Sequence, residues 1–229
     1  NHYQSKTNMD ISLLASLAVI HLVALMSPGP DFAIVVKMAT QQTRLTAVYC
    51  ALGIAAAILV HTLLSLLGIS VMIQQSPLAY MAVQLIGSSY LAWMGLGALT
   101  SALKTRKLTR QPATLVATPI DNVPKMSAFK GFKIGLYTNL LNPKALIFFI
   151  TLFTVLITPQ VGYATKTAAA ILLFSLSFIW FGLLALVLSK PRIQQKLLAA
   201  SSIIDLLVGI IFIAVAVTIA GNIMSQWLT

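Results

Sequence analysis

Two ionisable residues of opposite sign each follow a proline inside otherwise apolar sequence: Asp31 after Pro30, and Lys144 after Pro143. Asp31 ends the run Ser27-Pro28-Gly29-Pro30-Asp31, which interrupts a segment that is apolar from Ile11 to Val36. Proline lacks an amide hydrogen and crowds the carbonyl four residues back, so Pro28 and Pro30 free the carbonyls of Ala24 and Met26. In a bilayer such groups survive only where protein or a water-filled cavity surrounds them. A carboxylate at mid-span costs a further ~2.5–3.5 kcal/mol on insertion scales. Both costs fall at one place, which predicts a pathway there.

Proline also suits the first position of a resumed helix, so Asp31 is expected near the positive end of a half-helix, which favours its ionised form. Lys144 takes the same position in a second half-helix, where a cation is disfavoured and requires an anion nearby. That anion is either Asp31, in a structural ion pair, or a substrate carboxylate, and the two roles are compatible. Asn139 and Asn142 share a helical face with Gly135 by spacing; they either cap the broken ends or touch substrate. The residues expected to bind substrate or couple protons are therefore Asp31, Lys144, Asn142, Asn139 and His61. The helix breaks are expected at Pro28, Gly29, Pro30 and Pro143.

His61 belongs to a stripe with Gly53, Ala57 and Ser65, every fourth residue, of the kind that faces another helix or a cavity. It either titrates near neutral pH or closes an interhelical hydrogen bond. His21 is the weaker histidine. Gln84 and Ser88 share a face with Leu91 and Gly95 and read as close packing. Asp205, near the cytoplasmic end of the last span, is expected to meet Lys196 or water. The lone cysteine, Cys50, excludes an intramolecular disulfide and paired-thiol chemistry and reads as a small apolar packer. Three His, one Cys, four Asp and no Glu, all scattered, offer no metal cluster. No cofactor and no catalytic residue is expected.

The elements that must position these residues are membrane spans. The chain is 59% hydrophobic and 8% charged, where a soluble domain carries about a quarter charged residues, and its mean hydropathy is +0.93. The net charge of +11 lies on residues flanking apolar spans, not on a solvated patch with interleaved aromatics, so nucleic acid is not the expected partner. Charge-free intervals long enough to cross a bilayer predict spans at 11–36, 46–72, 78–101 and 133–157, then between Lys166 and Lys190 and from Asp205 to about residue 226. A turn is expected at Gln74-Gln75-Ser76-Pro77. Residues 1–10 read as an extracytoplasmic segment before a retained first span, not a signal peptide. Residues 104–132 read as a basic, proline-bearing cytoplasmic loop between residues 11–103 and 133–229.

Lys and Arg orient the spans. The connections after spans one, three and five hold twelve, from Lys37 to Lys196, whereas the opposite side holds Lys6 and Lys166 only. Both termini are thus expected outside the cytoplasm. A shift of 113 residues lays Pro30 on Pro143, Asp31 on Lys144, Ile34 on Ile147, and Ala55–Leu59 on Ala168–Leu172. Three spans per half force the second copy to insert upside down, the inverted-repeat plan in which broken helices form the site. The expected fold is an all-α integral membrane protein of six transmembrane helices, two inverted three-helix repeats with helices 1 and 4 broken.

The chain resembles the LysE/RhtB family of bacterial amino-acid exporters. The resemblance rests on Ser27-Pro28-Gly29-Pro30-Asp31, Val60-His61, Leu67-Gly68, Ile86-Gly87, Tyr90-Leu91-Ala92-Trp93-Met94-Gly95, Lys130-Gly131-Phe132 and Asn139-Leu140-Leu141-Asn142-Pro143-Lys144-Ala145, in this order from about Asp10 to Ala220. It implies export of an amino acid across the bacterial inner membrane, driven by the proton gradient. Homo-oligomerisation is left open. Asp10, Asp121 and Asp205 read as lying near span ends or in loops, so no second buried carboxylate is expected to hold a basic side chain. Neutral substrates of the homoserine, threonine or leucine kind are favoured. The alternatives are basic amino acids, a divalent metal ion as in the wider superfamily, or an intramembrane enzyme built on His61 and a serine.

Overall fold

The computed structural model describes residues 9–27, 29–108, 124–157, 161–188 and 191–228, and all of its regular structure is helical. Among the described residues eight helices follow in order: α1 (Ile11–Met26), α2 (Pro30–Gln41), α3 (Arg44–Gln75), α4 (Pro77–Leu108), α5 (Ala128–Leu140), α6 (Pro143–Leu156), α7 (Tyr163–Val187) and α8 (Pro191–Leu228). Proline opens α2, α4, α6 and α8, where its missing amide hydrogen costs nothing and its fixed φ is already helical. The expected turn between spans two and three narrows to Ser76, whose hydroxyl accepts from the Ala79 amide at 3.2 Å.

Four helices, α3, α4, α7 and α8, are each long and apolar enough to cross a membrane. The pairs α1–α2 and α5–α6 each pass the same test together and bend by 60° at their breaks, so counting each pair once gives six spans. Of the four expected break residues, Gly29, Pro30 and Pro143 sit at the bends, and Pro28 lies outside the described residues. Helix α8 starts before the expected span, at Pro191, although its apolar stretch begins only at Ala200. Charge-free intervals mark the hydrocarbon layer, and a helix can continue past it with charged residues in the headgroups. For the same reason α4 runs on to Leu108 and α5 begins at Ala128, inside the stretch read as loop.

Helix α3 packs most extensively against α5 and then α7, while α4 pairs with α8 and α6 touches both groups. Glycine allows the α3–α5 contact. A methyl on Gly53 would lie 2.1 Å from the Phe132 carbonyl oxygen, one on Gly131 2.5 Å from that of Thr46, and one on Gly135 2.0 Å from that of Cys50. The spacing of Gly131 and Gly135 is that of the small-residue motif that brings membrane helices together backbone to backbone. At the α4–α8 crossing, Gly95 and Gly209 do the same: a methyl on either would come within 3.0 Å of the other's carbonyl oxygen.

Candidate functional site

The two breaks meet and exchange partners. Asp31, second residue of α2, accepts at Oδ2 from Asn139 Nδ2 at 3.0 Å and from Asn142 Nδ2 at 3.3 Å. Lys144, second residue of α6, donates through Nζ to Ser27 Oγ at 2.7 Å. Asp31 and Lys144 close no ion pair with one another; each takes neutral partners from the other's break. Asn139 lies in the last turn of α5, and Asn142 caps α6, its Oδ1 accepting from the Lys144 amide at 3.0 Å. The two asparagines therefore do not share one continuous helical face, because α5 ends at Leu140. They converge on Asp31 through the turn, and Asn142 serves both as cap and as carboxylate partner.

Around this crossing lies a partly open pocket whose empty space, open solvent included, is about 500 Å³. Its polar wall is Ser27, Asp31, Asn139, Asn142 and Lys144; its aromatic wall includes His21, Phe148, Phe149, Phe181 and Phe212. Gly29 brings the second helix start close to the cation, since a methyl there would lie 3.6 Å from Lys144 Nζ. The first amides of α2 receive no side-chain cap. Asp31 Oδ1 and Asn139 Oδ1 are buried with no hydrogen-bond partner.

Of the two histidines weighed above, the structure brings the weaker candidate to the cavity. His21 lines it, bonds Ser177 Oγ through Nε2 at 2.8 Å, and lies 5.6 Å, ring to ring, from Phe149. Its sequence signal was its standing as the sole ionisable residue of α1. His61 is buried outside the cavity-lining set, stacks on Phe149 at 5.9 Å, and donates through Nε2 to the Asn139 carbonyl at 3.2 Å. It thus makes the interhelical hydrogen bond weighed above and touches the site through Asn139 and Phe149.

Asp205 corrects the expectation of an accessible carboxylate at a span end, while the side chain of Lys196, its other expected partner, lies outside the described residues. Asp205 is only 5% exposed, and Ser101 Oγ on α4 donates to its Oδ2 at 2.8 Å. The α4–α8 crossing at Gly209, one turn away, brings the two backbones together and excludes water from a position that hydropathy places at a span end. A second buried carboxylate therefore exists, although it is not part of the cavity wall.

Residues 22–222, which include both breaks, match the family described as LysE type translocator. The chain belongs to this family. This translocator is 31% identical over 202 residues to the threonine efflux protein of Escherichia coli (strain K12), covering 88% of the chain and 94% of that protein. It is 32% identical over 200 residues to the threonine efflux protein of Salmonella typhimurium, covering 87% and 93%. An uncharacterized membrane protein of Haemophilus influenzae is 28% identical over 88% of the chain and 92% of its own length. No solved structure matches the translocator. The membership and the apolar helices make it a multi-pass membrane protein, as the family resemblance of its motifs implied.

Proposed function

We propose that this translocator exports a neutral amino acid from the cytoplasm in exchange for protons, and that the cavity at the two breaks binds it. The observation that carries this reading is the sorting of donors and acceptors on the cavity wall. Lys144 Nζ gives one hydrogen to Ser27 Oγ and has two left for a carboxylate. The uncapped start of α2 beside it adds the positive end of a half-helix. On the same polar wall, Asp31 Oδ1 and Asn139 Oδ1 are buried acceptors without partners, a state that costs energy until a donor arrives. An α-ammonium brings three donors, so a zwitterionic amino acid meets both the free donors and the free acceptors of that wall.

Asp31 also supplies a route to proton coupling. Its free oxygen can accept an ammonium N–H or bind a proton, and occupancy by one excludes the other. Competition at a single carboxylate couples the two movements when the empty site does not itself reorient. A lysine or arginine side chain would bring another cation needing its own anion. Asp205 is engaged by Ser101 and lies off the cavity wall, so the aromatic wall favours an uncharged side chain. The threonine efflux proteins among the relatives support the same choice.

Residues 11–103 and 133–229 are read as inverted repeats in a bacterial inner membrane, both termini outside the cytoplasm, from the distribution of Lys and Arg. The test is an efflux panel in which cells with and without the translocator are loaded with neutral, basic and sulfur-containing amino acids. Selective loss of neutral ones is expected. Loss of lysine or arginine alone would overturn the neutral preference, and loss of none would overturn export itself.

A further inference from the structure

The hydrogen bonds of His21 leave one atom unaccounted for. Ser177 Oγ donates its only hydrogen to the Leu173 carbonyl at 2.6 Å, so in its 2.8 Å contact with His21 it must accept, and His21 Nε2 carries the proton. The imidazole is 1% exposed and makes no ion pair among the described residues, and a charged ring so placed would be heavily penalised. In the neutral tautomer that remains, Nδ1 is a lone-pair acceptor, buried and without a partner. His21 itself lines the cavity, together with Phe148, Phe149, Phe181 and Phe212. An apolar residue in its place would fill the wall without an unmet acceptor.

We infer that His21 Nδ1 is the specificity contact for the substrate side chain, accepting a hydrogen bond from a hydroxyl, so that the preferred cargo is a hydroxyl-bearing neutral amino acid. The inference rests on the amino-acid export reading and deepens it. The Asp31 and Lys144 ends hold the groups every amino acid shares, whereas His21 meets what differs between them. Threonine and valine, nearly equal in volume and differing by a hydroxyl for a methyl, isolate that contact.

The experiment measures efflux of labelled threonine and valine from proteoliposomes containing the full chain, for wild type, His21→Leu and His21→Gln. Wild type is expected to favour threonine about tenfold, the size of one well-made hydrogen bond together with relief of an unmet acceptor. His21→Leu should lose that preference by lowering threonine transport while leaving valine transport at or above its former level. His21→Gln, which retains an acceptor, should keep part of it. A purely structural role for His21 predicts equal losses for both substrates, which would overturn the inference. Wild type transporting valine as well as threonine would overturn it as well, even if His21→Leu fails to fold. Transport of neither, nor of any other amino acid, would remove the export reading beneath it, and is thereby distinguishable.

Discussion

At the first break α2 begins on Gly29 with no side chain bonded to its leading amides, whereas at the second α6 begins on Asn142, whose side chain caps it. The flanking helices differ in the same direction. Helix α5 touches α3 backbone to backbone through Gly53, Gly131 and Gly135, while α1, which precedes the first break as α5 precedes the second, packs on α7 with the Asp10 amide on Thr165 Oγ1 and His21 on Ser177 as polar contacts. Two segments bent by the same 60° have thus divided the work. The second is closed, capped and fixed to its neighbour; the first keeps an open helix end and the carboxylate. The difference is informative because both second half-helices open on proline, so what separates the two breaks is the cap and the packing of the flanking helix.

The largest effect is expected at the open break. Asp31→Asn should abolish gradient-driven efflux while the protein still inserts, because the group on which ammonium and proton compete no longer titrates. Efflux from preloaded vesicles with and without a pH gradient checks it, and unchanged driven efflux would move coupling away from this break. Next comes the closed side. Gly135→Ala places a methyl 2.0 Å from the Cys50 carbonyl and should cost roughly 1–3 kcal/mol of stability by overpacking. Gly182→Ala on α7, with nothing within 4 Å, should leave the melting temperature in detergent unchanged or slightly raised. Equal responses would erase the distinction between fixed and loose contacts.

A smaller effect should follow from making the two breaks alike. Gly29 has extended φ and ψ of −170° and −171°, which any residue can adopt, and ordinary room for a Cβ. Gly29→Ser would offer the α2 amides a cap and so compete with a substrate carboxylate, raising KM by about threefold with little loss of maximal rate. A fall in KM would mean that the open end plays no part in binding. The smallest effect concerns Asp10, the exposed N-cap of α1. The Leu13 amide and the Ser12 hydroxyl donate to its carboxylate and hold it below the usual carboxylate range. A depressed folded-state value contributes stability that is present above the unfolded value and lost as pH falls through the folded one. Acidification below about pH 4 should therefore fray the first turn of α1, seen as faster amide exchange at Leu13, and Asp10→Asn should remove that pH dependence.

The breaks, their residues and the long spans were legible in the sequence because each has a local cause: proline chemistry at Pro30 and Pro143, and apolar runs of sufficient length. Lys144 and Asp31 stood out because a charge in apolar sequence needs a reason wherever it lies. Their actual partners were not legible. Ser27 and the two asparagines reach them only because two bent segments cross, and spacing within one helix says nothing about a neighbour. Asp205 failed for a related reason, since hydropathy gives depth along a span but not which side another helix covers. His21 was hidden because a histidine's importance lies in which of its nitrogens is spoken for, and that depends on Ser177, 156 residues away.

The 38 residues of α8 amount to roughly 57 Å of helix at about 1.5 Å per residue, nearly twice a hydrocarbon layer of about 30 Å. The half-helices α1 and α2, of 16 and 12 residues, rise about 24 and 18 Å before and after a bend. Only the apolar stretch of α8, Ala200–Ser225, 26 residues and about 39 Å of helix, belongs to the hydrocarbon layer, and the bent pair α1–α2 together counts as one span. Tilting α8 to match a thinner bilayer would carry α4 with it through the Gly95–Gly209 contact, and with α4 the carbonyl of Thr154, to which Tyr80 and Gln84 both donate. Thr154 lies near the end of α6, the helix that presents Lys144 to the cavity.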